Sequence, residues 1–161
     1  MTSFKWAPAD RGSAAYEDAL RRCLAVYAVT DPRWLGGRRL CDVVEQAILG
    51  GATFVQLREK DVSHARRCEL AREVLAVCRA HNVPFVVNDD VECALEVGAD
   101  GVHVGQSDLA CAQAREMLGP DAIVGVSADN PAQALAAYEA GAAILHIHVR
   151  NDDGTPTQDR E

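Results

Sequence analysis

Gln56, Arg58 and Lys60 lie two residues apart in the run Thr53-Phe54-Val55-Gln56-Leu57-Arg58-Glu59-Lys60. In a β-strand that spacing puts all three on one face, because the side-chain period is two. The run begins apolar and becomes cationic only toward its C-terminal end. An amide, a guanidinium and an ammonium converging there are suited to an anionic ligand. A second polar set recurs at the ends of later apolar runs: Asn88, Asp89 and Asp90, then His103, Gly105, Gln106 and Asp108, then Ser127. Thr30 and Asp31 close an earlier one. Asp89 and Asp108 follow consecutive apolar runs. Two carboxylates beside an Arg and a Lys suit Mg²⁺ bridging a diphosphate, since Mg²⁺ commonly takes one or two carboxylates plus phosphate oxygens.

Each of these residues also has an ordinary structural reading. Asn88-Asp89-Asp90 fits a turn and a helix cap. Asp108 fits a cap for a helix at Leu109, and Ser127 a plain loop hydroxyl. Glu59 reads as solvated or paired with Lys60, and His103 as a core histidine within Gly-Val-His-Val-Gly. Joint placement at one rim, rather than any single residue, carries the chemical reading.

The elements that must position this set alternate. Strand-like runs occur at Leu24–Val29, Thr53–Arg58, Pro84–Asn88, Gly101–Val104, Ala122–Val126 and Ala143–Val149. Between them the apolar period becomes helical: Leu40, Val43, Val44, Ala47 and Ile48 follow i, i+3, i+4, i+7, i+8, and Leu70, Val74 and Val77 follow i, i+4, i+7. A further helix is expected around Ala14 to Cys23. Asn130-Pro131 reads as a cap followed by proline at the first helical position. Gly51-Ala52, Gly98-Ala99 and Gly141-Ala142 form a weak internal repeat of about two βα units. Strands alternating with helices predict a parallel sheet, with functional residues at the strands' C-terminal ends. A (β/α)8 barrel runs typically to about 250 residues, with about 200 as the lower bound. At 161 residues, this chain is expected to hold about six βα units.

Composition narrows the function classes. A formal charge of −8 argues against broad nucleic-acid binding and against docking on anionic membrane. No stretch approaches a membrane span. The six cysteines form no CxxC pair and read as small core residues in a reducing compartment, which points to the cytoplasm.

Five segments together resemble the thiamine phosphate synthase family: Tyr27-Ala28-Val29-Thr30-Asp31, Gly50 to Lys60, Pro84 to Asp89, Gly98 to Gln106, and Gly125-Val126-Ser127. The resemblance covers about Leu24 to Gly141, in order and at family spacing. It implies a TIM-barrel α/β fold, here truncated to about six βα units. It implies a transferase of thiamine biosynthesis that joins hydroxymethylpyrimidine diphosphate to thiazole phosphate and releases pyrophosphate. Carried over residue by residue, Gln56, Arg58 and Lys60 bind the pyrimidine diphosphate, Asn88 and Ser127 contact substrate, and Asp89 and Asp108 hold Mg²⁺. No residue is assigned as a general acid or base. The family pattern has Arg where this chain has Asp90.

After Gly141 the pattern departs from that family. His146-Ile147-His148-Val149-Arg150, followed by Asp153-Gly154-Thr155-Pro156-Thr157-Gln158-Asp159, resembles a fragment of the β-keto acid cleavage enzymes. In those enzymes two such histidines bind a divalent metal, so His146 and His148 are either a Zn²⁺ pair or unliganded strand histidines. The expected organisation is a flexible tail over 1–13, a partial barrel over 14–149 and a poorly ordered tail over 150–161. With six units, side chains such as Ile144 and Ile147 (or Leu145, on the other face) are expected to lack partners, favouring self-association and little or no synthesis by this chain alone. Two alternatives remain beside the synthase: a thiazole tautomerase of the same fold, and a non-catalytic diphosphate-binding or assembly module that completes its barrel with another chain.

Overall fold

A computed structural model describes residues 13–106, 111–148 and 155. Helix α1 (Ala14–Cys23) leads into strand β1 (Tyr27–Val29) and a 3-10 turn at Pro32–Trp34. Then follow α2 (Leu40–Leu49), β2 (Phe54–Leu57), α3 (His64–Ala80), β3 (Phe85–Asn88), α4 (Val91–Val97) and β4 (Gly101–Val104). The chain continues through α5 (Cys111–Leu118), β5 (Ile123–Ala128), α6 (Pro131–Glu139) and β6 (Ile144–Ile147). The six strands form one sheet in sequence order, and every neighbouring pair is parallel. None of the described helices is long and apolar enough to cross a membrane.

Expected and observed elements agree closely, and α1 spans the expected residues. Local chemistry explains the boundaries. The Ser13 hydroxyl accepts the Tyr16 N–H at the start of α1, and Asn130 Oδ1 accepts the Gln133 N–H with Pro131 next in line. Both satisfy donors that a helix N-terminus leaves without partners. β1, β2, β3 and β6 are shorter than their apolar runs, with Leu24 closing α1 instead, whereas β4 matches its run and β5 extends to Ala128.

Alternation along each strand sorts the core into two layers. Val55, Leu57, Phe85, Val87, Val102, Val104, Val124 and Val126 are buried against the helices. Phe54, Val86, Ile123 and Ile144 form a second cluster on the concave face, capped by Ala19, Leu20, Cys23 and Leu24 from the α1 end. Phe54 is fully buried, a contribution of roughly 1.5–3 kcal/mol. Parallel β4 and β5 approach so closely at Gly101 that a Cβ there would sit 1.8 Å from the Ile123 carbonyl oxygen. Glycine is obligatory at that position.

One polar link ties the outer layer together. The Asp100 side chain, fully buried, accepts from Arg79 at 2.7 and 2.9 Å and from the Phe85 N–H at 2.9 Å. It joins α3, β3 and the start of β4 below the functional rim. All six cysteines are free, and all but Cys23 are buried, as expected of small core residues.

Ile144 and Ile147 do not share a face, contrary to expectation, because they lie three apart in one strand. Ile144 joins the inner cluster, whereas Leu145 and Ile147 are exposed. Residues 1–12 and 156–161 lie outside the described set.

Candidate active site

Concave-face positions continue past the apolar layer and turn polar. After Phe54 comes Gln56, after Val86 comes Asn88, after Gly101 comes His103, after Ile123 and Gly125 comes Ser127, and after Ile144 comes His146. The same alternation that buries the lower layer therefore delivers polar groups to the C-terminal rim. There they line a cleft of about 600 Å³ bounded by Val29, Gln56, Arg58, Lys60, Asn88, Asp89, His103, Gly105, Gln106, Ser127, Asp129, His146 and His148. Gln56, Arg58, Lys60, Asn88, Asp89 and Ser127 are thus brought together. Asp108 lies outside the described residues.

The floor of the cleft is a hydrogen-bonded chain across four strands. Gln56 Nε2 donates to the Tyr27 hydroxyl at 3.1 Å. Tyr27 Oη lies 3.5 Å from His103 Nδ1, and His103 Nε2 lies 3.0 Å from Ser127 Oγ. Burial pushes the Tyr27 phenol well above its ordinary value, so it stays protonated. Burial, with the charges of His146 and His148, lowers His103 to about 4, so its ring is neutral. One proton order that satisfies all three contacts has Tyr27 donating to Nδ1 and Nε2–H donating to Ser127, whose own proton then faces the cleft.

Gly125 makes this arrangement possible. A Cβ there would lie 2.4 Å from His103 Nδ1, so the imidazole occupies the space a side chain would fill. His103 is 5% exposed, as is Gln56. Both ordinary and chemical readings of His103 hold: it is buried and bonded, and it also lines the cleft. Tyr27 was not singled out from the sequence as a site residue. Its signal was an aromatic hydroxyl two residues before the end of the first strand.

Charge gathers at the rim. The Arg58 guanidinium makes no hydrogen bond or ion pair among the described residues, although its backbone N–H is held by Thr30 Oγ1 at 2.9 Å. Lys60 Nζ stands 3.9 Å from Asp89 Oδ2, and Asn88 Nδ2 donates to the same carboxylate. Asp89 takes a left-handed backbone, φ 62°, a conformation uncommon for a residue with a Cβ. Its N–H is fixed to the His103 carbonyl at 2.9 Å. Asp31 is committed elsewhere: Arg33, bonded side chain to side chain and through its N–H, holds that carboxyl down to about 2.

One sequence expectation, for Glu59, is corrected, and Asp90 takes the helix-cap reading. It caps α4 through the Cys93 N–H at 2.8 Å and pairs with Arg67 at 2.6 Å and His64 at 3.0 Å. Burial pushes its carboxyl up, but those hydrogen bonds prevail and it lies below the usual carboxylate range. Glu59 is buried at 7% exposure rather than solvated; burial and the Asp31 charge raise its pKa. Its carbonyl accepts from Arg67, which anchors the backbone between Arg58 and Lys60.

His146 and His148 both line the cleft, their rings edge to face at 4.5 Å. His148 Nδ1 is 3.4 Å from Asp129 Oδ1. Among the described residues no third His, Cys, Asp or Glu completes a coordinating cluster with the two.

The residues present fit Mg²⁺. Asp89 offers a carboxylate at an open polar rim beside two cations, the donor set of a metal that shares its ligands with phosphate oxygens. The cleft as a whole can hold a doubly anchored anion above a neutral, hydrogen-bonding floor.

Comparisons with known proteins identify the family. A family model described as thiamine monophosphate synthase matches residues 26–150. The thiamine-phosphate synthase of Clostridium novyi is 48% identical over 122 residues, covering 76% of this chain and 60% of that protein. The thiamine-phosphate synthase of Clostridium botulinum strain Loch Maree gives the same figures. Among solved structures, thiamine phosphate pyrophosphorylase from Pyrococcus furiosus superposes with a TM-score of 0.75 at 32% identity, covering 85% of this chain and 66% of that one. The chain spans about three fifths of the length of the curated relatives it matches. By fold and by sequence, this chain belongs to the thiamine monophosphate synthase family.

Proposed function

We propose that this protein is a thiamine-phosphate-synthase-type transferase, joining hydroxymethylpyrimidine diphosphate to thiazole phosphate with release of pyrophosphate. The observation that carries this reading is the convergence of Arg58, Lys60, Asn88 and Asp89 on one cleft whose floor is the neutral Gln56–Tyr27–His103–Ser127 chain. In this reading the carbon–oxygen bond to the diphosphate breaks and the electron pair leaves with pyrophosphate. The methylene carbon then bonds the thiazole nitrogen. Arg58 and Lys60 take the charge that grows on the departing diphosphate, where fixed cations act without reorganisation. Gln56 and Ser127 hold the polar edge of the pyrimidine, and Asn88 contacts the same substrate. Asp89, with Asp108 beyond the described residues, would hold Mg²⁺. Bound there, the ion would neutralise leaving-group charge. A neutral His103 suits a site in which a cationic pyrimidine forms, since it adds no opposing charge.

Self-association belongs to the same proposal. Among the described residues β1 pairs only with β2 and β6 only with β5, and Val29, Leu145 and Ile147 are exposed there. Unpaired edges with apolar neighbours favour association. A cytoplasmic setting is supported by six free cysteines.

The test supplies both substrates and follows thiamine phosphate and pyrophosphate together. Equal release of the two supports the transferase. Isomerised thiazole phosphate alone would favour the tautomerase, and diphosphate binding without product the binding module.

A further inference from the structure

A second cluster of ligating side chains lies away from the cleft, between α3 and α4. His64 and Cys68 are four residues apart on α3, so they stack on one helix face. Glu96 faces them from α4. One ligand atom from each lies within 4.8 Å of the other two. His64 Nε2 is 3.5 Å from Cys68 Sγ and 3.3 Å from Glu96 Oε2.

Those separations match a metal polyhedron. Zinc bonds of about 2.0–2.1 Å to nitrogen, about 2.3 Å to sulfur and about 2.0–2.2 Å to oxygen, set at tetrahedral angles, put nitrogen about 3.6 Å from sulfur and about 3.4 Å from oxygen. The two edges therefore need almost no movement. The surroundings are also those of a metal centre. His64 Nδ1 is held by Asp90 Oδ2 at 3.0 Å, fixing the ring and leaving Nε2 for a metal. The other Glu96 oxygen is held by Arg72. Such outer hydrogen bonds orient ligands and tune their basicity. Cys68 is buried, while the His64 and Glu96 side chains are 45% and 49% exposed, so an ion can enter from solvent.

We propose that His64, Cys68 and Glu96 form a Zn²⁺ site that pins α3 to α4, with a solvent molecule as fourth ligand. A thiolate, an imidazole and a carboxylate select a borderline-soft ion over Mg²⁺. Thiolate and carboxylate balance the ion's charge. In the ion-free protein the two ring nitrogens of His64 link Asp90 and Glu96, and zinc would stand between Nε2 and Glu96. Because Asp90 directly follows Asp89 and also grips Arg67, the clamp steadies the turn that carries the rim carboxylate. The site is independent of what the cleft binds.

The test uses the full chain stripped with a chelator and titrated with Co²⁺, then Zn²⁺. One equivalent of Co²⁺ should produce thiolate-to-cobalt charge-transfer absorption in the near ultraviolet with tetrahedral visible bands, both bleached by Zn²⁺. Cys68→Ser should remove the charge-transfer band. His64→Asn and Glu96→Gln should each weaken Co²⁺ binding at least about tenfold, the lower end seen even for loss of an outer partner. Cys41→Ser, and the double change His146→Ala with His148→Ala, should leave the band intact. If Cys68→Ser does not fold, His64→Asn, on a half-exposed side chain, decides the matter. Absence of a thiolate band in the wild-type chain, or an undiminished Co²⁺ affinity in His64→Asn, overturns the site.

Discussion

Acidification should destabilise this protein through His103. The ring sits between Tyr27 and His146 on the concave face, and burial, with the charges of His146 and His148, lowers its pKa to about 4. An unfolded chain binds that proton near 6.5. The folded value is the lower one, so the unfolded state carries more protons between these limits. Stability is therefore fully present above about 6.5 and is lost as pH falls toward 4. Between pH 7 and pH 5 the two titrations differ by about 2 kcal/mol. His146 is shifted the same way by burial and by His148 and adds to the loss. His64, raised by Asp90 and Glu96, acts in the opposite sense. Comparison of wild type with His103→Asn isolates the one group. Urea unfolding at the two pH values should show the wild type losing about 2 kcal/mol more than the variant. In parallel, the His103 ring signals should stay those of a neutral imidazole at pH 5. A His103 that titrates near 6.5, or an equal pH slope in both proteins, would refute the buried neutral ring and with it the proposed proton order along the Tyr27–His103–Ser127 chain.

Arg58→Ala should weaken pyrophosphate binding by roughly 1.5–3 kcal/mol, the scale of a hydrogen bond to a charged group, and barely change the melting temperature, since its guanidinium makes no hydrogen bond or ion pair among the described residues; calorimetry and a melting curve check both. Gly125→Ala forces a methyl against His103 Nδ1 at 2.4 Å; it should cost about 1–3 kcal/mol of stability, as overpacking does, and shift the His103 ring resonances. Arg79→Ala leaves the fully buried Asp100 carboxylate without its cation and should cost about 3–5 kcal/mol in denaturant unfolding, while any folded fraction keeps its pyrophosphate affinity.

Much of the architecture was legible because alternation and helical period are local signals. The rim could be found by reading strand ends in order, and spacing placed Gln56 on the cleft face of β2; Arg58 and Lys60, expected on the same strand face, follow the end of β2 at Leu57 and line the cleft from the loop. Contacts set by distant residues were not legible. Asp90 was legible as a helix cap, yet its pairing with Arg67 and His64 of α3 was not, because nothing near Asp90 in the sequence announces either partner. Glu59 looked solvated because it stands among charges, but the turn after β2 folds it inward. Tyr27 and Gly125 were read as parts of strands. Their roles depend on where the His103 ring lies, three strands from Tyr27 and one from Gly125 in the sheet. Ile144 and Ile147 were paired although a period of two separates residues three apart.

The central claim is that the cleft holds a diphosphate with Mg²⁺ beside Asp89. Calorimetry of pyrophosphate with the full chain, with and without Mg²⁺, in wild type and Asp89→Ala, tests it most directly. Tighter binding with Mg²⁺ in the wild type, and no such gain in Asp89→Ala, is the expected result. Equal affinity with and without Mg²⁺ in the wild type, or an undiminished gain in Asp89→Ala, would contradict it.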